Sequence, residues 1–327
     1  MIILATIIAF WVGCNRRQPE QKESEQPVTT EAVKQPAGNA IYYWRTTFSL
    51  NSDEKAFLRR HNINRLYLRM FDVAVEEDYA KTCKEIVPIA TTRFNDSIPS
   101  NIEIVPVVYI TIDALRELAH WNEQYFAQMI VDRMLAMCSY NECGTISELQ
   151  LDCDWTSTTK RSYILLCEEA KKLLAEKNIK LSITIRLHQL EETPPPADRG
   201  VLMLYNTGAL KNYNAKNSIL HYDDVRPYMT SVIRYPIPLD YAYPTFGWGV
   251  KFRNKKFVSI VSNPDAEKVG NGETIRRERP SVKDILTIKE LTANCLGKAD
   301  RRNILYHLDS EQLKNYSEDE INKIFAR

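Results

Sequence analysis

Glu148-Leu-Gln-Leu-Asp-Cys-Asp-Trp-Thr156 is the stretch from which the fold of this chain can be argued. Successive side chains of a strand point to opposite faces, which divides the stretch into two rows. The apolar row is Leu149, Leu151 and Cys153, and the polar row is Gln150, Asp152 and Asp154. A helical pattern follows directly, from about residue 159 to 177. A strand that feeds a helix belongs to a βα unit, whose strands are covered on both faces.

The polar row is therefore expected to be enclosed rather than bathed in water. An enclosed carboxylate needs a cationic partner, a metal ion or a ligand, because an unpaired one is too costly to bury. We expect function at the carboxyl end of this strand, where Asp152 and Asp154 lie.

The same alternation of strands and helices recurs along the chain after residue 40. The predicted strands cover residues 41–48, 65–73, 102–110, 148–154, 180–187, 201–206, 239–243 and 303–308. The predicted helices cover residues 52–60, 122–137, 159–177, 222–233, 282–296 and 318–325, with a weak helical pattern near 81–85.

Eight strands with mostly helical crossovers predict an α/β protein of one specific type, a single (β/α)₈ TIM-type barrel over residues 40–327. An open doubly wound sheet fits this pattern less well. No strand is followed by a glycine-rich phosphate loop and the chain holds only ten glycines, so nothing indicates a dinucleotide-binding site or a P-loop. Residues 247–261 alternate around Arg253-Asn254-Lys255, which predicts a small hairpin inserted after strand seven.

The amino terminus has the pattern of an export signal. Residues 1–13 are apolar and uncharged, and Val12-Gly13-Cys14 resembles the lipobox of a bacterial lipoprotein, which predicts a signal peptide over residues 1–14 and lipidation of Cys14. Residues 15–39 are rich in Pro, Glu, Gln, Lys and Thr, the composition of a disordered tether. We therefore expect a lipid-anchored protein of the bacterial cell envelope, at the outer membrane or the cell surface.

Charge and cysteine content narrow the classes of partner. The net charge is +1, from 43 basic and 42 acidic residues, which gives no indication of a nucleic-acid binder. No Cys-x-x-Cys spacing occurs, so we predict no zinc site. We also expect no cofactor and a monomeric protein. In an exported protein Cys138 and Cys143 would be the most plausible local disulfide pair.

The strand pattern also predicts what fills the barrel. The expected inward-facing residues are Tyr43, Arg45, Tyr67, Arg69, Gln150, Asp152, Asp154, Ser182, Thr184, Arg186, His188, Asn206, Asp240 and His307. Barrel interiors usually hold layers of branched aliphatic side chains, whereas this one would place three arginines opposite three aspartates. Two interpretations stay open: an internal ion-pair network that satisfies itself, or a network whose upper edge faces a substrate.

Aromatic side chains are frequent at the same strand ends, and an aromatic face beside carboxylates and amides suits a sugar ring. The residues in question are Trp44, Tyr109, Trp155, Tyr205, Tyr241, Tyr243, Phe246 and Trp248. We expect Trp44 and Tyr241 to pack against helices, and Trp155 and Trp248, which follow strand ends, to form a ligand wall.

From Tyr42 onward the chain resembles a family of uncharacterised bacterial lipoproteins with a glycosidase-like (β/α)₈ domain. The resemblance is carried by Leu66–Val73, Leu149–Trp155, Leu181–Ile185 and Leu239–Pro244. Strand four is also similar to that of chitinase-type glycosidases, which carry an acidic residue at every second position and end in a catalytic Glu. Asp154 is the last acidic residue of this run.

The leading hypothesis is accordingly a glycoside hydrolase-like enzyme acting on a poly- or oligosaccharide. Asp154 would protonate the leaving oxygen, with Asp152 opposing its ionisation, and Asp240 would activate water or act as nucleophile. The predicted substrate-binding residues are Arg69, Trp155, Arg186, His188, Asn206, Tyr243, Trp248 and His307.

Two alternatives stay open. The first is a non-catalytic surface lipoprotein that binds glycan with the same aromatic wall. The second is a metal-dependent hydrolase that uses Asp152, Asp154, His188, Asp240 and His307, although the chain has no paired His-x-His strand motif.

Overall fold

The computed structural model describes residues 38–78, 83–119, 122–231, 233–296 and 301–326. Its strands are β1 (Asn39–Tyr43), β2 (Thr47–Phe48), β3 (Ile63–Asp78), β4 (Cys83–Ile89), β5 (Arg93–Phe94), β6 (Glu103–Ile110), β7 (Glu148–Asp152), β8 (Lys180–Ile185), β9 (Arg199–Met203), β10 (Leu239–Pro244), β11 (Trp248–Arg253), β12 (Lys256–Val261), β13 (Glu273–Glu278) and β14 (Asn303–Tyr306). Its helices are α1 (Ser52–Arg60), α2 (Ile112–Leu118), α3 (Glu123–Tyr140), α4 (Lys160–Ala175), α5 (Tyr222–Val225), α6 (Val282–Leu296), α7 (Ser310–Leu313) and α8 (Glu318–Phe325).

Eight parallel strands close into a barrel. Their order around the cylinder is β1, β14, β10, β9, β8, β7, β6 and β3, and β3 pairs in turn with β1. Consecutive barrel strands along the chain are neighbours, which is the topology of a (β/α)₈ barrel. The predicted fold class is confirmed.

Several helices begin at a side-chain cap, and the longer ones pack an apolar face on the strands. Asn51 accepts from the Glu54 amide and Glu54 reaches back to the Asn51 amide, so α1 begins with a capping box. Ser317 and Glu320 make the same reciprocal pair at the start of α8. In α4 the residues that face the barrel include Tyr163, which is buried. These helices cover the outer face of the strands and fix their order.

Three connections differ from the sequence-based prediction. The helical pattern near residues 81–85 is wrong for its described part, since Cys83–Ile89 forms β4, an antiparallel partner of β3. The helix expected over 222–233 is reduced to Tyr222–Val225 and a 3₁₀ turn at Arg226–Tyr228, where Pro227 interrupts the hydrogen-bond ladder. The helix α2, capped by Thr111, was not predicted.

The hairpin inserted after the seventh barrel strand is confirmed and is larger than expected. β11 pairs antiparallel with β12 across Asn254 and Lys255, and β13 pairs with the other edge of β11. Asn254 and Lys255 both have positive φ, 50° and 63°, as the two central residues of a tight hairpin turn require. The insertion is therefore a three-stranded sheet.

Apolar side chains pack in two separate layers. The larger one lies between the strands and the surrounding helices and includes Leu151, Tyr163 and Ile285. The smaller one lies inside the barrel and includes Tyr42, Tyr67, Val107, Val201 and Ala242. Tyrosines replace part of the aliphatic filling of the cylinder, so polar groups lie on its axis.

The predicted signal peptide over residues 1–14, Cys14 and the tether to residue 37 lie outside the described residues. Within the described ranges, the helices are too short or too polar to cross a membrane.

Candidate functional site

Polar groups occupy the barrel axis at three heights, and the lowest holds a buried ion-pair cluster. Arg65 near the start of β3 donates to Glu148 at 2.7 Å and to both oxygens of Glu103, at 2.7 and 3.0 Å. The side chains of Arg65 and Glu148 are 8% and 6% exposed. Nearby, Asp240 accepts from Arg199 Nη1 at 2.9 Å and from the Arg302 amide at 2.7 Å. This level closes the amino end of the barrel.

The middle level is built from hydroxyl and amide groups. Tyr42 Oη donates to Gln150 Oε1 at 2.7 Å, and Gln150 Nε2 donates to Ser182 Oγ at 3.4 Å. Tyr42 stacks on Tyr67, with ring centroids 4.7 Å apart. The Gln150 carboxamide is therefore hydrogen-bonded inside the protein, and it takes no direct part in the site at the barrel mouth.

The upper level carries the two aspartates of the initial stretch. Asp152 is 4% exposed and accepts from Thr184 Oγ1 at 2.6 Å. The side chain of Asp154 is 39% exposed and accepts from Arg186 Nε, while Arg186 Nη2 lies 3.9 Å from Asp152 Oδ1. One guanidinium thus serves two carboxylates of different exposure, and Asp154 is the one that faces solvent.

Burial is the main influence on the pKa of the Asp152 carboxyl. Desolvation raises the pKa of Asp152 to about 6, Arg186 acts in the opposite direction, and Asp154 and Asp72 raise it further. Tyr109 on the neighbouring strand lies in the same field, and burial raises its pKa to about 12, helped by Asp154 and Asp152. Asp152 is therefore a carboxyl that can hold a proton under mildly acidic conditions.

A second arginine–aspartate pair lies beside the first. Arg69 on β3 donates through Nε to Asp72 Oδ1 at 2.8 Å and through Nη2 to the other carboxylate oxygen. The Arg69 guanidinium lies 5.5 Å from the centre of the Trp44 ring. A register shift between Arg69 and Phe71 brings Asp72 to this height. Both groups are largely buried and satisfy each other.

An open cleft of about 290 Å³ lies at the carboxyl ends of β7, β8 and β9. Its lining residues are Asp154, Arg186, Leu187, His188, Met203, Tyr205, Asn206, Thr207 and Tyr228. Arg186 lies 5.7 Å from the centre of the Tyr205 ring. Four of the residues predicted for the site, Asp154, Arg186, His188 and Asn206, line this cleft together. Carboxylate, guanidinium, imidazole and amide groups converge there with two aromatic rings, as in small-molecule sites.

Aromatic rings continue from the cleft across the barrel mouth. Tyr205 stacks on Tyr306 with centroids 4.3 Å apart, and Phe246 lies 6.1 Å from Tyr205 and 5.3 Å from Trp248. Trp248 Nε1 donates to Glu278 Oε2 at 2.9 Å, which fixes the orientation of its ring. Trp248 therefore belongs to an aromatic rim that is shared between the barrel and the inserted sheet.

The loop that carries Asn206 and Thr207 is fastened to the same inserted sheet. Arg276 on β13 donates to the carbonyl oxygens of Leu210, Asn212 and Tyr213 at 2.6 to 3.1 Å. Ser218 donates to Glu278, which is 4% exposed. The insertion thus holds one wall of the cleft in place.

The structure does not bring Asp240 to Asp154, so their predicted pairing as two catalytic carboxylates is wrong. Asp240 is the second residue of β10 and lies at the amino end of the barrel, where its exposure is 0%. Its pKa is raised by burial, while Arg199 and the Arg302 amide oppose that rise. Strand sequence indicates which face a side chain occupies, but height depends on register.

Two predicted substrate-binding aromatics are buried elsewhere. Tyr243 is 1% exposed and packs in the outer layer, hydrogen-bonded to Thr292 of α6. Trp155 is 2% exposed in the same layer, and its carbonyl oxygen accepts from Gln189 Nε2 at 3.0 Å. Neither ring is available to a ligand, so both assignments are corrected.

His307 lies at the mouth but is not open to the cleft. Its ring stacks on Tyr306 with centroids 5.2 Å apart, and burial lowers its pKa to about 4. The imidazole is therefore neutral near pH 7. It supports the aromatic rim and does not line the cleft.

On the first strand the prediction of which side chains face into the barrel is wrong. Tyr42 and Trp44 belong to the interior cluster, whereas Tyr43 points outward and donates to the Thr47 carbonyl at 2.7 Å. Arg45 pairs with Glu54 of α1 at 2.8 Å. The expected three arginines opposite three aspartates reduce to two pairs at the mouth, Arg186 with Asp154 and Arg69 with Asp72.

Several residues of the site were not among the predicted ones. Tyr228 was assigned to a helix that does not form, and Tyr306, the last residue of β14, has the opposite strand parity to the predicted His307. Tyr205 directly precedes Asn206 at the end of a predicted strand, and Thr184 shares the parity of Arg186. The strand pattern did place Thr184 inside the barrel and Tyr205 among the aromatics at the strand ends, without assigning either of them to the site.

The five residues of the proposed metal-dependent hydrolase do not converge. Asp240 lies at the base, His188 is exposed in the cleft, and His307 is packed in the aromatic rim. Across the described part of the chain, no three His, Cys, Asp or Glu side chains lie close enough to hold a metal ion.

Comparison with solved structures places the fold among known barrels. A chitinase from Chromobacterium violaceum ATCC 12472 is 13% identical, with a TM-score of 0.52 over 85% of this chain and 98% of that one. The spore cortex-lytic enzyme SleL of Bacillus cereus is 14% identical, with a TM-score of 0.53 over 88% and 74% of the two chains. The SleL of Bacillus megaterium QM B1551 is 12% identical, with a TM-score of 0.52 over the same shares. No protein-family model and no curated protein sequence matches the chain.

The chain therefore has the (β/α)₈ barrel fold of chitinase-type glycosidases. At these identities the likeness concerns the fold, and function has to be argued from the site itself.

Proposed function

We propose that this protein binds an oligosaccharide in the cleft at the mouth of its barrel. The observation that carries the proposal is the cleft's composition. Asp154, held by Arg186, stands beside the exposed groups of His188 and Asn206, with Tyr205 and Tyr228 next to them. Sugar hydroxyls hydrogen-bond to charged and amide groups, and the C–H faces of a sugar ring pack on aromatic rings.

The fold supports a glycan ligand by analogy. The similar structures include a chitinase and two spore cortex-lytic enzymes, and their barrels share the arrangement of this chain. Ligands of (β/α)₈ barrels bind at the carboxyl ends of the strands, which is where this cleft lies.

Binding is favoured over cleavage by the carboxylate count of the cleft. Two-carboxylate hydrolysis places an acid and a second carboxylate on either side of the scissile bond. Among the described residues that line the cleft, Asp154 is the single carboxylate, and it is engaged by Arg186. Asp240, the expected second group, is at the other end of the cylinder.

A second candidate function, hydrolysis, rests on one specific observation. Burial raises the pKa of Asp152 to about 6, so this carboxyl, which lies 3.9 Å from Arg186 Nη2, can retain a proton at mildly acidic pH. A single acid suffices when the substrate supplies its own nucleophile, as in substrate-assisted glycosidases. A sugar that carries an acylamino group would meet that requirement, and its turnover would be confined to pH values near or below 6.

A glycan array followed by calorimetric titration tests binding, with product analysis of the same samples above and below pH 6. We expect an oligosaccharide that binds wild-type protein to bind Asp154→Asn about 10-fold more weakly, since a charge-assisted hydrogen bond contributes about 1.5 kcal/mol. Tyr228→Ala should weaken binding by a similar factor through loss of ring contact.

Two aspartate variants serve as controls for this experiment. Asp113→Asn, whose side chain is 74% exposed on α2, and Asp240→Asn, at the base of the barrel, should leave the dissociation constant unchanged. Unchanged affinity of Asp154→Asn would contradict the assignment of the site, and released sugar that disappears in Asp154→Asn would establish the hydrolytic alternative.

We also propose that the barrel is tethered to the cell envelope by a lipid on Cys14. The support is the apolar segment over residues 1–13, the Val12-Gly13-Cys14 sequence and the polar stretch that follows. Growth of a bacterial host with an alkyne fatty acid should label the full chain and place it in the membrane fraction. Cys14→Ser should abolish both, and label retained in that variant would refute the anchor.

A further inference from the structure

The carboxyl end of α3 is closed by a specific backbone motif. The Cys143 amide donates to the Cys138 carbonyl at 2.9 Å, and the Glu142 amide donates to the Ser139 carbonyl at 3.3 Å. Glu142 has a φ of 51°, in the left-handed region. These two crossed hydrogen bonds around a left-handed residue define a Schellman motif.

The motif brings two cysteine side chains together. In a Schellman motif the side chain of the third residue before the helix cap usually contacts the side chain of the second residue after the cap. Here these two residues are Cys138 and Cys143. The two thiols are hydrogen-bonded to each other, and each residue is 3% exposed. The helix end therefore places the two thiols next to each other.

The pair lies directly beneath the protein surface. Glu142 and Gly144, on either side of Cys143, are exposed, and so is Thr145. Local opening of this exposed loop gives a small oxidant access to Cys143.

We propose that Cys138 and Cys143 are a redox-active pair that closes into a disulfide across the end of α3. The oxidant is a low-molecular-mass disulfide such as oxidised glutathione. The other cysteines with described side chains are placed differently: Cys153 and Cys167 have 0% exposure, and Cys295 donates to the Met229 carbonyl at 3.3 Å.

The exchange proceeds in two balanced steps. The Cys143 thiolate attacks one sulfur of the oxidant, which forms a mixed disulfide and releases one thiolate. The Cys138 thiolate then attacks the Cys143 sulfur and expels the second one. Two protein thiols are oxidised, one external disulfide is reduced to two thiols, and two protons leave the protein. The hydrogen bond from Cys138 lowers the pKa of Cys143, which suits it to the attacking role.

The test uses the full purified chain, incubated with reduced or oxidised glutathione and then alkylated in denaturant. Peptide mapping by mass spectrometry should show both thiols alkylated after reduction. After oxidation the peptide that holds Cys138 and Cys143 should be lighter by two hydrogens and carry no alkyl group on either residue. Cys295→Ser is the matched control and should give the same map.

The variants Cys138→Ser and Cys143→Ser separate a disulfide from unrelated oxidation. After oxidation Cys138→Ser should carry one glutathione on Cys143, because no resolving thiol is present, and Cys143→Ser, which lacks the attacking thiol, should carry less. Full alkylation of both cysteines in oxidised wild-type protein would overturn the proposal, and so would a map that pairs either of them with Cys153 or Cys167. The wild-type map decides the matter even if a variant fails to fold.

Discussion

Replacing Arg65 with methionine should lower the free energy of unfolding by about 3–5 kcal/mol. Arg65 bridges Glu148 and Glu103, and Glu148 is 5% exposed, with Oε1 already lacking a hydrogen-bond partner. Without the guanidinium, Glu148 would remain as a buried charge near Asp240, which is also buried. Equilibrium unfolding in urea measures the loss.

Two further variants make this result specific. Arg116→Met removes an exposed pair with Asp113, whose side chains are 60% and 74% exposed, and should cost less than about 1 kcal/mol. Glu148→Gln combined with Arg65→Met removes the uncompensated charge and should restore much of the lost stability. A cost of under 1 kcal/mol for Arg65→Met would show that water or other groups satisfy the base of the barrel.

Asp152→Asn should change the pH dependence of stability by about 3 kcal/mol. The pKa of Asp152 is about 6 in the folded protein against an ordinary value of 3.8, so the folded state binds the proton more tightly than the unfolded chain. Its contribution is therefore fully present below pH 3.8 and is lost as pH rises to about 6. Each pH unit in that interval costs about 1.4 kcal/mol.

The Asn side chain of the variant does not ionise, so its stability relative to wild-type protein should grow between pH 4 and pH 7. Urea midpoints measured across the interval give the difference directly, and Asp113→Asn should follow the wild-type curve. Parallel curves for wild-type protein and Asp152→Asn would mean that Arg186 and Thr184 fully offset the burial of the carboxylate.

The sequence was informative wherever a local pattern carries the signal. The alternation of Leu149, Leu151 and Cys153 against Gln150 and Asp152 placed the correct residues inside the barrel, because side-chain direction follows strand periodicity. Helices α1, α6 and α8 were predicted at their observed bounds, since caps and apolar periodicity act within a few residues.

Errors arose where the answer depends on another strand. Asp240 faces inward as expected, but its pairing with β9 and β14 places it at the base. Tyr243 is three positions along the strand from Asp240 and therefore faces the opposite way, outward. The alternation of the strand already predicted this. On the first strand both faces carry large aromatic side chains, so the alternation alone could not decide whether Tyr42 or Tyr43 faces into the barrel.

The sequence by itself determined the order of the eight barrel strands, the barrel and the carboxylates of its fourth strand. Only the tertiary structure decided the height of each polar side chain on the barrel axis, because height is set by hydrogen bonds between strands far apart in the chain. Those bonds placed Asp154 and Arg186 together in an open cleft and left Asp240 buried at the opposite end.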